Sequence, residues 1–361
     1  MTPLERKIRE QINASGPISI SNFMSTAMAN PFHGYYQTRN PFGLTGDFIT
    51  APEISQVFGE IIGLWCAVTW QKGHKPKELN LVELGPGRGT LMSDIMRSCI
   101  TVPSFLDAVQ VHLVETSDVL CKIQRQVLSN FKVHWHKTLD TIPQKPTLII
   151  ANEFFDALPV DQYVNTRQGW YERRVDYDDE KNKFVFMPYK EKNSIKIPKQ
   201  LQNARLGAVF ENCPIGQKLA DQIGRWICLH GVAAIIIDYG YTGLNTLETL
   251  QAVKSHRTHN PLLEIGEADL TAHVDFSAIS NSLKKGGVKV YGPINQGEFL
   301  LSLGIKTRIE KLLEGANSKQ TESLLEGYRR LTSSSQMGTL FKIIAVLPPN
   351  QPAPAGFELQ S

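Results

Sequence analysis

The chain has 361 residues, of which 42% are hydrophobic and only 20% are charged, so it can bury a substantial core and its composition excludes an intrinsically disordered protein. The net charge is only +3, from 38 basic and 35 acidic residues spread along the chain, which argues against nucleic-acid binding as the main activity. The sequence contains no run of about 18 uncharged apolar residues, so we expect no stable membrane insertion.

The five cysteines are scattered and form no Cys-x-x-Cys pair, so the sequence indicates neither a zinc site nor a disulfide framework. We expect reduced thiols in a reducing compartment. The first ten residues mix acids with bases and precede no long apolar run, so we expect neither a secretory signal nor a transit peptide. These features predict a cytoplasmic protein of bacterial type, or a mature mitochondrial matrix protein if the chain is eukaryotic.

The first 75 residues have a helical pattern that is interrupted by one loop. Apolar residues recur with helical periodicity over 18–29 and again over 54–70. Between these stretches, residues 30–53 are rich in aromatic residues, Gly and Pro, which is too irregular for a helix and too bulky for a linker. We therefore expect residues 1–75 to form an N-terminal helical segment with a loop that covers a site.

From residue 79, short apolar runs alternate with helical stretches, as in a parallel sheet built from βαβ units. The seven predicted strands cover residues 79–84, 109–115, 132–135, 147–151, 233–238, 288–291 and 339–347. A long insertion separates the fourth strand from the fifth and begins with two β-like stretches, 162–175 and 183–189. The sequence therefore predicts an α/β fold over 76–361. Its sheet is Rossmann-like and mostly parallel, with an N-terminal helical extension and an insertion at about 160–230, after strand 4.

Residues 79–90, LNLVELGPGRGT, have the pattern of a strand that ends in an acid, followed by three glycines and a helix. Gly85, Gly87 and Gly89 let the backbone turn sharply and approach a ligand closely, with NH groups of the helix N-terminus facing that ligand. Thr90 stands where a dinucleotide-binding fingerprint has its third glycine, which disfavours an NAD-dependent oxidoreductase. The sequence has no GxxxxGK[ST] segment, so a phosphate-loop hydrolase is excluded.

Two acids flank the glycine-rich turn. Glu83 lies two residues before Gly85, where it could meet the ammonium group of a methionine moiety. Glu115 ends the next predicted strand, where a carboxylate can hold both hydroxyls of a ribose. Either acid could instead be structural, Glu83 as a partner of a backbone NH and Glu115 as an N-terminal acid of a helix. Together, the two acids and the glycines favour S-adenosyl-L-methionine over NAD as the cofactor.

Five segments, in this order, resemble the MidA-like family of methyltransferases: NPFHGYYQ, GDFITAPEISQVFGE, VELGPGRGT, ANEFFDALPV and TAHVDF. The resemblance extends from about residue 18 to 347 and implies the seven-stranded class I methyltransferase sheet. The mitochondrial member of this family assembles respiratory complex I by methylating an arginine of one of its subunits. The resemblance therefore also implies a protein partner with an arginine acceptor, such as a complex I subunit, and a symmetric dimethyl product.

Acids after the fourth strand are candidates for orienting an acceptor guanidinium, because a carboxylate holds this planar group through two hydrogen bonds and can accept a proton. Glu153 and Asp156 follow the carboxyl end of that strand, where open α/β sheets bind ligands. We favour Glu153, since Asp156 could instead cap a turn. His273 is a third candidate, as a proton acceptor, whereas Asp275 has the position of an N-cap for the next helix.

Other residues could contribute to the same site. In the N-terminal loop, Asp47 and Glu53 could contact the cofactor or the acceptor, although Glu53 also precedes an apolar helix, as an N-terminal acid would. Tyr35 and Tyr36 could cover the site or pack in the core. Asp238 ends the fifth strand and could shape the acceptor pocket.

Several alternatives stay open. His134 and His136 alternate on a strand without a third ligand near them in sequence, so we expect a structural or exposed role and no metal. A small-molecule methyltransferase and an assembly chaperone that binds the cofactor with little catalysis are the main rivals to protein arginine methylation. The oligomeric state has no signature in the sequence.

Overall fold

A computed structural model of the chain describes residues 1–38, 50–190 and 197–358. The strands of these residues are β1 (Ile18–Ser19), β2 (Leu79–Leu84), β3 (Val109–Val114), β4 (Val133–His136), β5 (Thr147–Asn152), β6 (Asp161–Thr166), β7 (Gly169–Asp178), β8 (Lys183–Tyr189), β9 (Val209–Asn212), β10 (Val232–Tyr241), β11 (Gln251–Lys254), β12 (Arg257–His259), β13 (Asp269–Thr271), β14 (Val274–Asp275), β15 (Lys289–Asn295) and β16 (Phe341–Leu347).

The α-helices of the described residues are α1 (Pro3–Ser15), α2 (Ile20–Ala29), α3 (Tyr35–Thr38), α4 (Ala51–Ile54), α5 (Gln56–Lys72), α6 (Thr90–Ser98), α7 (Pro103–Ala108), α8 (Asp118–Val127), α9 (Pro214–His230), α10 (Phe276–Lys285), α11 (Gln296–Ser302), α12 (Ile305–Leu313), α13 (Ser318–Thr332) and α14 (Met337–Leu340). Short 3₁₀ turns lie at Cys99–Thr101, Leu139–Thr141 and Lys199–Leu201. Within this part of the chain, no helix combines the length and apolarity that a bilayer crossing requires.

The described residues form two compact units, each discontinuous in sequence. Unit 1 consists of residues 1–38, 156–190, 197–217 and 242–273. Unit 2 consists of residues 50–155, 218–241 and 274–358.

Unit 2 contains the predicted, mostly parallel sheet, with strand order β15-β16-β10-β5-β2-β3-β4. Only β16 runs antiparallel to its neighbours β10 and β15, and the other pairs along this order are parallel. Every residue of β2 and of β5 is buried, as expected for central strands that are covered on both faces. The α/β fold class is therefore confirmed. A short strand that was not predicted, β14, pairs with the end of β10 and extends the sheet.

The structure differs from the predicted boundary near residue 75. Helix α5 belongs to unit 2, where Ile62, Trp65 and Cys66 share one hydrophobic core with Leu79 and other sheet residues. The reason is the apolar face of α5, which covers the sheet. Residues 50–72 therefore group with the sheet and not with the N-terminal helices.

Unit 1 combines α1 and α2 with two small sheets, of which one has the order β1-β7-β6-β9 with β8 paired to β7, and the other has the order β12-β11-β13. The stretch 162–175, predicted as one β-like segment, is a hairpin of β6 and β7 that turns between Thr166 and Gly169, and Gly169 adopts a φ of 107°. The three strands β11, β12 and β13 were not predicted. Their short length gives little periodicity to detect.

Part of the N-terminal loop lies outside the described residues. The loop residues outside the description are 39–49, which include Asp47. Residues 191–196, in the polar stretch after β8, are also outside it. The expectation that residues 30–53 cover a site stays a prediction.

Three histidines meet on the neighbouring strands β3 and β4. His112 is 2% exposed, its Nδ1 lies 2.9 Å from Nε2 of His136, and its ring stacks on His134. The buried Nε2 of His112 has no hydrogen-bond partner among the described residues. Burial, followed by the neighbouring His136 and His134, lowers the pKa of His112 to about 4. A structural role fits this geometry.

We expect His112 to make the stability of unit 2 sensitive to acid. Below pH 6.5 the unfolded chain takes up a proton at this residue, whereas the folded chain does so only near pH 4. The unfolding free energy should therefore fall as the pH drops from 6.5 to 4, by about 3 kcal/mol from this residue. Thermal unfolding of His112→Phe should show a shallower slope over this range. His256→Asn, at an exposed turn, should keep the wild-type slope, and equal slopes for all three proteins would refute this role.

Candidate functional site

The glycine-rich turn connects β2 to α6 in unit 2. Gly85, Gly87 and Gly89 adopt φ values of 62°, 54° and 85°, a left-handed conformation that residues with a Cβ rarely adopt. Gly89 is the N-cap of α6, and its NH donates to the carbonyl of Pro86 at 2.7 Å. This backbone explains the three glycines, because a tight turn at a strand end exposes main-chain groups to a ligand.

A side chain at Gly85 would also collide with its surroundings. A Cβ built there would lie 2.7 Å from Cδ2 of Phe154, so the aromatic ring occupies the space beside the turn. Phe154 therefore packs against the turn, as a packing residue would.

Glu83, in β2 just before the turn, is 3% exposed, and its Oε2 has no hydrogen-bond partner among the described residues. Burial, together with the negative charge of Glu115, raises the pKa of Glu83 to about 8. A buried carboxylate without a paired cation is costly, so this position favours a cationic ligand group. The fit to the ammonium group of S-adenosyl-L-methionine is good, because that group would neutralise the acid.

Glu115 follows β3 and is 8% exposed. Its Oε1 accepts from the NH of Ser117 at 2.7 Å, and its Oε2 accepts from Nε2 of Gln124 at 3.2 Å. Burial raises the pKa of Glu115, and these hydrogen bonds oppose the rise. Each carboxylate oxygen is thus held by a protein donor, and a carboxylate has about four lone-pair sites, so it can also accept from a ligand hydroxyl.

Glu53 contacts the glycine-rich turn directly. Its Oε1 accepts from the hydroxyl of Thr90 at 2.5 Å, and its Oε2 lies 3.3 Å from Nη1 of Arg88. Helix α5 is instead capped by Ser55, whose hydroxyl accepts from the NH of Val57. Ser55 therefore caps α5, whereas Glu53 is an acid in the first turn of α4 and joins that helix to the glycine-rich turn.

The residues after β5 are held in a strained loop. Glu153 has a φ of 48°, which is uncommon for a residue with a side chain, and its NH donates to the carbonyl of Ile237 at 2.9 Å. Its Oε1 accepts from the NH of Ala51 at 3.0 Å and from Nδ2 of Asn152 at 3.3 Å. Strain of this kind is typical of residues that a site requires in one orientation.

Asp238 anchors the same loop from β10. It is 0% exposed, and its Oδ2 accepts from the NH groups of Phe154 and Phe155 at 3.2 and 3.0 Å, while Oδ1 accepts from that of Tyr239. Its carboxylate oxygens therefore bind backbone NH groups. Asp238 shapes the loop that carries Glu153.

The other two predicted catalytic residues, Asp156 and His273, belong to unit 1. The carbonyl of Asp156 accepts from the NH of Ala272 at 2.9 Å, which brings these two segments together. The NH of His273 donates to the hydroxyl of Thr249 at 2.9 Å. Burial lowers the pKa of His273, so its imidazole is neutral at neutral pH and able to accept a proton.

The aromatic pair of the N-terminal loop also lies in unit 1. Tyr35 is fully buried, and the hydroxyl of Tyr36 donates to Oδ1 of Asp269 at 3.0 Å. Burial, followed by the charges of Asp269 and Asp156, raises the pKa of Tyr36. Tyr35 is thus a core residue, and Tyr36 is a polar neighbour of two acids.

The N-cap role of Asp275 is confirmed, since its Oδ1 accepts from the NH of Ala278 at 3.0 Å at the start of α10. The described residues contain no group of three or more His, Cys, Asp or Glu side chains that could hold a metal ion.

Three contacts at the turn were not predicted from the sequence. Arg88 and Thr90 both reach Glu53, and Gln124 of α8 donates to the carbonyl of Gly87 at 2.8 Å. The sequence does contain one feature that could have singled out Gln124. It stands at a helical spacing of four from Leu120 and from Leu128, both buried, so a polar residue occupies the apolar face of α8.

Known proteins are similar to this chain over most of its length. The profile of a family described as "Putative S-adenosyl-L-methionine-dependent methyltransferase" matches residues 61–294. Human mitochondrial protein arginine methyltransferase NDUFAF7 is 36% identical over 376 residues, which cover 96% of this chain and 84% of that protein. The Xenopus tropicalis protein of the same name is 36% identical over 384 residues, covering 96% of this chain and 87% of that protein.

A solved structure extends the similarity to the fold. A Burkholderia thailandensis protein crystallised with S-adenosyl-homocysteine superposes with a TM-score of 0.84 at 27% identity, over 98% of this chain and 94% of that one. The family profile spans more than half of this chain, and the relatives match nearly all of it. The chain therefore belongs to this family of S-adenosyl-L-methionine-dependent methyltransferases.

Proposed function

We propose that this methyltransferase transfers the methyl group of S-adenosyl-L-methionine to a guanidinium nitrogen of an arginine in a protein. The observation that carries the proposal is the set of buried acids around the glycine-rich turn and the loop after β5. Relatives that match 96% of the chain are named protein arginine methyltransferases, which supports a protein acceptor. We further propose that the methyl acceptor is a subunit of respiratory complex I or a similar protein, and that the reaction takes place in the cytoplasm.

On the donor side, we assign the cofactor to the carboxyl end of β2 and β3. Glu83 would bind the ammonium group, Glu115 would accept hydrogen bonds from both ribose hydroxyls, and the turn at Gly85, Gly87 and Gly89 would let the backbone approach the ligand. Glu53 would hold that turn in place through Thr90. When bound, the cofactor supplies a methyl group on a positively charged sulfur, an electrophile with a good leaving group.

On the acceptor side, the protein has to orient a guanidinium and receive a proton. Glu153, fixed by its backbone and by Ala51, would hold the planar group with its carboxylate, and Asp156 would add a second acid. The methyl–sulfur bond breaks as the methyl–nitrogen bond forms, and the nitrogen then loses one proton. The neutral imidazole of His273 is our candidate to accept it. Alignment of this kind can supply roughly 7–11 kcal/mol of the barrier in ideal cases.

The proposal predicts a specific loss of methylated arginine. Mass spectrometry of proteins from cells with and without this gene should show one or few methyl-arginine sites that depend on it. The purified enzyme should methylate the corresponding peptide and leave its Arg→Lys version unmodified. Turnover of small molecules alone would favour the small-molecule alternative, and cofactor binding without turnover on any candidate subunit would favour the chaperone.

Gly85→Val should abolish binding of S-adenosyl-homocysteine, as measured by calorimetry. The substitution combines a positive φ, which costs roughly 1–2 kcal/mol, with a Cβ 2.7 Å from Phe154. Gly231→Val is the matched control. Its φ is 74° but nothing lies within 4 Å of its Cβ, so the variant should bind the ligand normally. Unchanged affinity in Gly85→Val would remove the turn from the site.

Glu153→Gln should lower turnover by about a hundredfold or more, because the variant lacks the charge that holds a guanidinium. Affinity for S-adenosyl-homocysteine should stay within about threefold, a change below roughly 1 kcal/mol. The amide oxygen can still accept from Ala51, so the loop should keep its conformation. Glu180→Gln, at an exposed turn, should keep full activity, and full activity in Glu153→Gln would exclude this residue from the reaction.

Binding of S-adenosyl-homocysteine should strengthen with pH up to about 8. Glu83 carries a proton at neutral pH when its pKa is about 8, and it must release that proton to pair with an ammonium group. The complex then binds fewer protons than the free protein, so the affinity should rise by up to about tenfold per pH unit from 6 to 8. Calorimetry on Glu83→Gln should give a much flatter profile. The same slope in both proteins would contradict the assignment.

A further inference from the structure

One buried polar side chain in unit 2 touches both halves of the donor site. Gln124 is 0% exposed on a face of α8 that otherwise buries Leu120, Cys121 and Leu128. A buried amide is costly unless it is hydrogen-bonded, and a leucine or methionine would fill the same volume without that cost. Its polarity therefore needs an explanation from the groups around it.

The amide of Gln124 makes three hydrogen bonds, each to a different segment. Its Nε2 donates to the carbonyl of Gly87 at 2.8 Å and to Oε2 of Glu115 at 3.2 Å. Its Oε1 accepts from Nε1 of Trp135 in β4 at 2.9 Å. One side chain thus links the glycine-rich turn, the acid after β3 and the neighbouring strand.

Trp135 determines which way the amide points. An indole NH can only donate, so the atom of Gln124 that faces it must be the oxygen. The NH₂ group then faces two acceptors, the carbonyl of Gly87 and the carboxylate of Glu115. The reversed amide would place its oxygen against both acceptors and its NH₂ against a donor, which is unfavourable at all three contacts.

We propose that Gln124 is a positioning residue that orients the carboxylate of Glu115 toward the ribose of the cofactor and couples it to the glycine-rich turn. This inference rests on the assignment of Glu115 to the ribose in the proposed function. With Oε2 held by Gln124 and Oε1 held by Ser117, the carboxylate cannot rotate away from a ligand. Preorganised acceptors of this kind bind hydroxyl groups without a cost of reordering at the moment of binding.

The test compares S-adenosyl-homocysteine with its 2′-deoxy form, by calorimetry and without a methyl acceptor. The wild type should bind the deoxy form about tenfold more weakly, because one hydroxyl is missing. Gln124→Met, which has a similar length but no donor, should bind S-adenosyl-homocysteine about tenfold more weakly than the wild type. Its penalty for the missing hydroxyl should fall below about threefold, because Glu115 is no longer fixed.

Two further measurements separate positioning from packing. With saturating S-adenosyl-L-methionine, Gln124→Met should keep kcat within about twofold while KM for the cofactor rises. Gln124 also opposes the raised pKa of Glu115, so in a Glu83→Gln background, where the pH profile of Glu83 is removed, adding Gln124→Met should move upward the pH at which ligand affinity is half lost on the acid side. A residue that merely fills space would change neither the hydroxyl penalty nor this pH.

Gln126→Met is the matched control, because Gln126 is exposed on the same helix and should leave both affinities unchanged. If Gln124→Met fails to fold, Trp135→Phe tests the proposal, since it keeps the glutamine and removes the donor that orients it. This variant should also reduce the hydroxyl penalty. Folded variants that keep the full wild-type penalty would overturn the role of Gln124. An absence of any binding in the wild type would instead refute the cofactor site itself.

Discussion

The position of Glu83 in the centre of the sheet is the constraint from which the rest of the donor site follows. Its backbone pairs with Leu113 of β3 and Ile150 of β5, and its side chain is buried against one face of the sheet. An acid in this place is stable only when it is protonated or faces a cation. The same register brings the NH of Gly85 to the carbonyl of Val114, which leaves Glu115 next to the turn.

A second set of contacts fixes the loop that would receive the acceptor. Asp238 binds the NH groups of Phe154 and Phe155, while Glu153 reaches the first residue of α4. Glu53, two residues further along α4, returns to Thr90 after the turn. The glycine-rich turn and the loop after β5 are thereby connected through α4, so a displacement of one should shift the other. Such support is what allows Glu153 to keep an unfavourable backbone conformation.

The sequence predicts the sheet and the turn well, because long buried strands and clustered glycines have strong local signals. The positions of Glu83 and Glu115 beside the turn are also predictable, since both stand at strand ends, and their contacts with the cofactor stay a prediction. Gln124 and the Glu53–Thr90 contact depend on which side chains meet after folding, and residue spacing carries little information about that. Helix α5 was grouped with the N-terminal segment because its apolar face has the same pattern whichever core it joins.

The place of β16 in the sheet has a consequence for synthesis and truncation. Among the described strands β16 comes last in sequence, yet it lies between β15 and β10 and not at an edge. Residues up to 347 must therefore leave the ribosome before β15 can join the sheet through β16, and until then β10 has an open hydrogen-bonding edge. A stop codon shortly before residue 341 would remove an internal strand and divide the sheet, although the cofactor motif is more than two hundred residues upstream.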